Sequence, residues 1–244
     1  MKERSGIIGM GAAAVFTAAK FSKVLLSGGT MLLSLWAYSL FWGWRFALGF
    51  VLLIFIHEMG HYIAARQKHL DVGLPTFIPF VGAWIALKAT PMNVETESYV
   101  AFAGPLAGTV ASLGCYLSGR YYGSNLLLAL SYAGFFINLF NLLPLSPLDG
   151  GRITAILSPR IWLIGAPLLL ALFLYRPSPL LIVLALFSAP QVLKAFRYDP
   201  KAPENAIYYQ AALTTRLIYA ALYLGLAGYL AVMSYEVHDM LVVR

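Results

Sequence analysis

The chain has 244 residues, of which 60% are hydrophobic and 11% charged, and its formal net charge is +7. A soluble domain carries about 45–50% apolar and about 25% charged residues, so a single water-covered globule is excluded and an outer surface facing lipid is expected. Nor does the positive charge indicate a nucleic-acid partner. Lys20, Lys23, Arg66, Lys68, Arg152, Lys194 and Arg197 sit at the ends of apolar runs, where membrane helices place their cytoplasmic basic residues.

At about 20 residues per crossing, the chain has room for about six transmembrane helices and little else. Residues 1–23 begin with basic residues and are interrupted by Gly6, Gly9 and Gly11, which fits an N-terminal interfacial segment better than a signal peptide. The first spans are expected at 24–42 and 46–65, joined by a turn at Gly43-Trp44-Arg45. Residues 66–92 mix Lys68, Asp71 and Lys88 with Pro75, Pro79 and Pro91. Prolines break helices, so a short extended or re-entrant segment is expected near 75–88. Further spans follow at 98–117 and 125–143. Pro144, Pro147 and Gly150-Gly151 then end the helix. Two apolar runs at 160–175 and 178–193 precede a last helix at 206–234, whose crossing is placed at 217–233. Trp36, Trp42, Trp44 and Trp84 fit an interfacial aromatic belt, and His69 and His238 fit the same boundary. The single cysteine, Cys115, excludes an internal disulfide and is expected to be buried.

The expectation is an all-α polytopic membrane protein in three parts: the interfacial segment 1–23, a catalytic membrane core 24–152, and additional C-terminal transmembrane helices 153–244. Lys20 and Lys23 before the first span, Arg66 and Lys68 after the second, and Arg152 after the fourth assign one end to the cytoplasm. Arg45, Arg120 and Arg176 fall on the other side.

Chemistry concentrates at Ile56-His57-Glu58-Met59-Gly60-His61 in the second span. Residues four apart on an α-helix lie one turn apart on one face, so both imidazoles can reach a single Zn²⁺. Glu58 is offset by one position and lies beside the metal, where a carboxylate can take a proton from water. At this composition His-Glu-x-x-His arises by chance in roughly two sequences per thousand. The bland alternative is a polar helix turn with hydrogen-bonded histidines. It is disfavoured because ionisable groups behind the unbroken apolar run 51–56 are costly and mark function. Catalytic zinc needs a third protein ligand. Asp149 follows an apolar run and precedes two glycines that permit a tight turn back toward the metal, although Asp-Gly taken alone is an ordinary turn.

These residues resemble the site-2 protease family of intramembrane zinc metalloproteases, peptidase family M50. The family's His-Glu-x-x-His is matched by 57–61. Its Asn-x-x-Pro-x-x-x-x-Asp-Gly is matched by Asn141, Pro144, Asp149 and Gly150, and Phe102-Ala-Gly104-Pro105-Leu-Ala-Gly108 is similar to its Gly-Pro segment. The resemblance covers about 51–152. It implies that His57, His61 and Asp149 bind zinc, that Glu58 activates water, and that Asn141 holds substrate or stabilises the oxyanion; an inter-helix hydrogen bond is the plain alternative for Asn141. Asn138, one turn earlier, is expected to be structural, and Gly104, Pro105 and Gly108 to let helices approach closely.

The link at 118–124 leaves no room for the PDZ domain of many bacterial members, and the tail after Ser234 none for a C-terminal regulatory domain, so a minimal, core-only member is expected. The implied activity is regulated intramembrane proteolysis: hydrolysis of a peptide bond in or near a transmembrane segment of another membrane protein. The expected location is the plasma (inner) membrane of a prokaryote, with the active site toward the cytoplasm and the extended segment offering a strand edge to substrate. Oligomeric state stays open. Two rivals are a CAAX-type zinc protease and an ion-handling transporter or scaffold. The first needs a helical glutamate ligand downstream, but Glu95, Glu97, Glu204 and Glu236 lie in polar or terminal stretches. The second predicts no proteolysis.

Overall fold

The structure, a computed structural model, describes residues 26–80, 82–84 and 93–242. The interfacial segment expected at 1–23, and the part of the extended region at 85–88, lie outside the described residues, as does the side chain of Trp84. Among the described residues, four helices are long and apolar enough to cross a membrane, and two shorter apolar helices accompany them. The chain is an all-α polytopic membrane protein, with one short hairpin among the described residues.

Helix α1 (26–42) and helix α2 (Trp44–Gln67) are separated by Gly43 alone, whose φ of 77° suits a residue without Cβ. The chain reverses there, and Tyr38 packs with Ala47, Val51 and Ile54. Strands β1 (Thr76–Ile78) and β2 (Gly82–Trp84) form an antiparallel hairpin with Phe77 opposite Ala83. The hairpin descends along α1. The Ser27 hydroxyl bonds to Pro75 O, the Phe77 amide donates to Thr30 Oγ1 at 3.2 Å, and the Phe80 amide donates to the Tyr38 hydroxyl at 3.0 Å. Eleven residues of α1 separate the first and last of these contacts, roughly 16 Å at 1.5 Å per residue. The hairpin is therefore re-entrant, and Phe77 stacks on Phe55 of α2.

Helix α3 (Val94–Tyr122) is longer than the span expected at 98–117, and α4 (Asn125–Asn141) ends two residues before the expected 143, so the two are more closely coupled than the sequence implied. Asn93 caps α3 by accepting from the Thr96 amide, and the connection at its far end is only Gly123 and Ser124. Next comes α5 (Asp149–Thr154), a short helix. Gly150 and Gly151 are helical within it, not the tight turn expected. Their absent side chains serve contact: a Cβ on Gly150 would strike the carbonyl of Leu142, and one on Gly151 the backbone of Leu145 and Ser146. Trp162 Nε1 donates to Gly151 O at 2.8 Å, and the Tyr223 hydroxyl to Leu142 O at 2.6 Å. The segment carrying Asp149 is thus pinned against the end of α4.

A 3-10 turn (Pro159–Ile161) leads into α6 (Trp162–Tyr175) and α7 (Pro179–Phe196). The continuous last helix expected at 206–234 is in fact two, α8 (Pro203–Tyr208) and α9 (Leu213–Val242). Arg216 accounts for the break. Its guanidinium donates to Tyr209 O at 2.9 Å and Ala211 O at 3.3 Å, satisfying carbonyls that the interruption frees, and to Leu157 O at 2.7 Å. Cys115 is half-buried instead of buried, and the His238 ring lies against Tyr132, tilted by 33° with centroids 5.4 Å apart.

One end of the bundle is polar. Gln67 accepts from the Tyr99 hydroxyl at 2.8 Å, Lys68 lies 4.6 Å over the Tyr99 ring, and Glu97 accepts from Arg152 Nε at 3.3 Å and from the Tyr208 hydroxyl at 2.6 Å. Burial and the Glu97 carboxylate push the Tyr208 phenol above its ordinary range, so it stays a donor. Arg160, bonded to Tyr198 O at 3.2 Å, extends the same end.

Because α5 has no clearance at Gly151, Gly151→Ala should destabilise the chain by about 1–3 kcal/mol, the usual cost of overpacking. Gly114→Ala, where a Cβ meets nothing within 4 Å, should unfold at the wild-type temperature or slightly above it. Thermal unfolding of both purified variants in one detergent checks this.

Candidate metal centre

His57 and His61 project from α2, which is 24 residues long. His57 lies roughly 20 Å from its Trp44 end and about 15 Å from its Gln67 end, deep within a span of membrane thickness. Both rings are buried, at 6% and 8% exposure, and Asp149 at the first position of α5 is equally so at 8%. Helix periodicity supplies the first two donors. The packing of α5 against the end of α4 supplies the third.

Three donor atoms converge. His57 Nε2 and His61 Nε2 are 3.1 Å apart, and Asp149 Oδ2 lies 3.1 Å from the first and 3.3 Å from the second. With bonds of about 2.0–2.1 Å, two donors at tetrahedral positions around zinc stand about 3.3–3.4 Å apart. The observed triangle is close to one face of such a tetrahedron, leaving the fourth position for water or substrate.

The outer nitrogens decide which atoms carry protons. His61 Nδ1 lies 2.8 Å from Val100 O. A carbonyl oxygen can only accept, so His61 Nδ1 bears the hydrogen. His57 Nδ1 lies 2.7 Å from Asn138 Oδ1, while Asn138 Nδ2 donates to Gly134 O at 2.7 Å. That second bond fixes the amide's orientation, so His57 Nδ1 is also a donor. Neutral rings in this tautomer present bare lone pairs at both Nε2 atoms. Two bare nitrogens and a carboxylate oxygen facing one another at 3.1–3.3 Å repel unless a cation lies between them. Two neutral imidazoles and a carboxylate are a familiar donor set for zinc, and His57, His61 and Asp149 can hold such an ion.

Helix α3 forms one wall. A Cβ on Gly104 would fall on the His61 imidazole, and a Cβ on Gly108 on the Asn138 carboxamide. The two glycines of the Gly-Pro segment therefore seat one ring of the donor triangle and the partner of the other, which is more specific than general helix proximity. Arg152 Nη1 is 4.0 Å from Asp149 Oδ1, the carboxylate oxygen turned away from the histidines. Arg152 is itself held by Glu97.

Glu58 is buried at 6% exposure and takes no part in the donor triangle. It lies within electrostatic reach of His57, His61, Asp149 and Arg152. Asn141 is the last residue of α4, one turn beyond Asn138, and is half-buried. The sequence missed the contact of Asn138 with His57. Its only clue was the i, i+3 spacing to Asn141, and the backbone partner of His61, Val100, left none. The four glutamates weighed for a CAAX-type site lie in polar or terminal stretches, all of them within helices. Glu95 and Glu97 open α3, Glu204 lies in α8 and Glu236 in α9, but none joins the cluster.

A polytopic helical bundle with a buried His-His-Asp donor set belongs to the class of membrane-embedded metalloproteins. Residues 45–123 match the model of peptidase family M50. Over 134 residues the chain is 31% identical to zinc metalloprotease MJ0392 of Methanocaldococcus jannaschii, covering 52% of this chain and 38% of that protein. It is 30% identical over 80 residues to the probable zinc metalloprotease EGY1, chloroplastic, of Arabidopsis thaliana, covering 31% of this chain and 15% of that one. With the Oryza sativa subsp. japonica protein of the same name it shares 32% over 84 residues, 32% of this chain and 14% of that one. The chain thus spans well under half the length of these relatives. Over these stretches it is similar to peptidase family M50, the family its motifs resemble.

Because α3 leaves no room beside His61, Gly104→Ala should weaken zinc binding by roughly 10–100-fold, as disturbing a ligand's supporting contacts does. Chelator competition on the purified variant measures this; wild-type affinity would show that the α3 wall does not define the centre.

Proposed function

We propose that this chain is an intramembrane zinc metalloprotease that hydrolyses a peptide bond in or near a transmembrane segment of a substrate membrane protein. The observation that carries the reading is the buried triangle of His57, His61 and Asp149 at mid-depth of α2, in a chain whose relatives are named zinc metalloproteases. Residues 24–152 are the catalytic core, and the helices of 153–244 pack around it.

His57, His61 and Asp149 hold the ion. When bound, zinc supplies Lewis acidity, bringing the pKa of water from about 15.7 toward about 7 and polarising the scissile carbonyl. Glu58, next to a ligand but outside the donor triangle, takes the proton of the attacking water and returns it to the leaving amine. Asn141 donates from its carboxamide to the carbonyl oxygen as negative charge develops there. The Glu97, Arg152 and Asp149 row supports a polar route by which water enters from the basic end of the bundle. That end carries Arg66, Lys68, Arg152 and Arg160, an excess that supports a cytoplasmic-facing site in a prokaryotic plasma membrane. A helical substrate hides its carbonyls in hydrogen bonds and must unwind before cleavage. The re-entrant hairpin, with Phe77 against Phe55 two residues from His57, supports docking of the unwound strand by β-augmentation.

Glu58→Gln should retain the wild-type zinc content and lose cleavage of single-span membrane substrates by about 10²–10⁴-fold. Parallel metal analysis and cleavage assays of the two proteins check this. Undiminished cleavage would refute the assignment of Glu58.

A further inference from the structure

Asn138 is 2% exposed, in an apolar helix, with both polar atoms of its side chain engaged. A carboxamide is costly to bury at this depth unless fully bonded, and here the bonds are specific. One end is anchored to the backbone of its own helix at Gly134, and the other reaches 81 residues back in sequence to His57 Nδ1. Gly108 of α3 leaves the space the amide occupies. His61 is oriented by a main-chain carbonyl, Val100 O, whereas the orientation of His57 rests on a side chain.

We propose that Asn138 is a positioning residue for the metal centre. Its Oδ1 accepts the Nδ1 hydrogen of His57, which selects the tautomer with a bare Nε2 and fixes the ring plane, so that Nε2 points at the ion. This deepens the metal-centre reading and rests on it. Partners of this kind typically account for 10–100-fold in metal affinity. The role differs from an inter-helix brace, because a brace stabilises the fold whether or not metal is bound.

The experiment compares zinc affinity, by competition with a fluorescent chelator, and the unfolding temperature of the metal-free protein, for the full chain in detergent. Asn138→Leu keeps the volume and removes the acceptor, and should weaken zinc binding about 10–100-fold. Asn138→Asp keeps an acceptor oxygen for His57 and should hold affinity within about tenfold of wild type, although it loses the bond to Gly134. Asn138→Ser, too short to reach the ring, should match the leucine variant and serves if that variant does not fold. Wild-type affinity in the leucine or serine variant overturns the role of Asn138. So does equal weakening by leucine and aspartate, in step with loss of metal-free stability. A wild type that takes up no zinc overturns the metal centre, and this proposal with it.

Discussion

The structure is organised around a repulsion among neutral donors that a shared cation removes. Two imidazoles locked as Nδ1–H donors aim bare Nε2 atoms at each other across 3.1 Å, and a carboxylate oxygen closes the triangle. No hydrogen bond within the triangle relieves this while the rings are neutral. The surrounding fold must therefore hold three mutually repelling donors in place. It does so through bonds on the far side of each: Val100 O behind His61, Asn138 behind His57, and Arg152 beside the outer oxygen of Asp149.

Close backbone approach makes that holding possible. Gly104 and Gly108 of α3 and Gly150 and Gly151 of α5 lie where a helix touches a donor, a donor's partner or the backbone at and just beyond the end of α4. In lipid there is little hydrophobic force between helices, and small residues that permit tight packing take over that role. The same contacts exclude alternatives for the site: at Gly104 an added methyl group would occupy the space of the His61 ring. The polar row from Tyr208 through Glu97 to Arg152 joins the centre to the basic end of the bundle. The C-terminal helices are thereby coupled to the core and do not merely flank it.

Much of this was legible in the sequence, for physical reasons. The i, i+4 spacing of His57 and His61 is a property of helix geometry, and the structure brings both rings to one point. Asp149 was recognisable through its motif partner, not through its own neighbourhood. Prolines 75 and 79 correctly marked the non-helical insertion, but its re-entrant path depends on bonds to Ser27, Thr30 and Tyr38 that no local pattern encodes. Hydropathy misjudged the last helix. The α8–α9 break is stabilised by Arg216, which bonds carbonyls within the break and one, Leu157 O, far away in sequence, and Glu236, His238 and Asp239 obscured the length of α9. The Gly150-Gly151 pair reads as a tight turn because periodicity cannot separate a glycine needed for its torsion from one needed for its missing side chain. Asn138 was passed over because a single buried amide looks the same in sequence whether it braces helices or orients a ligand.

X-ray absorption at the zinc edge, on the full chain purified with its metal, tests the central claim most directly. The account predicts one zinc per chain, surrounded only by nitrogen and oxygen at about 2.0–2.2 Å, with the outer-shell scattering of two imidazole rings. A sulfur neighbour at about 2.3 Å, or an ion lacking the imidazole signature, would contradict it.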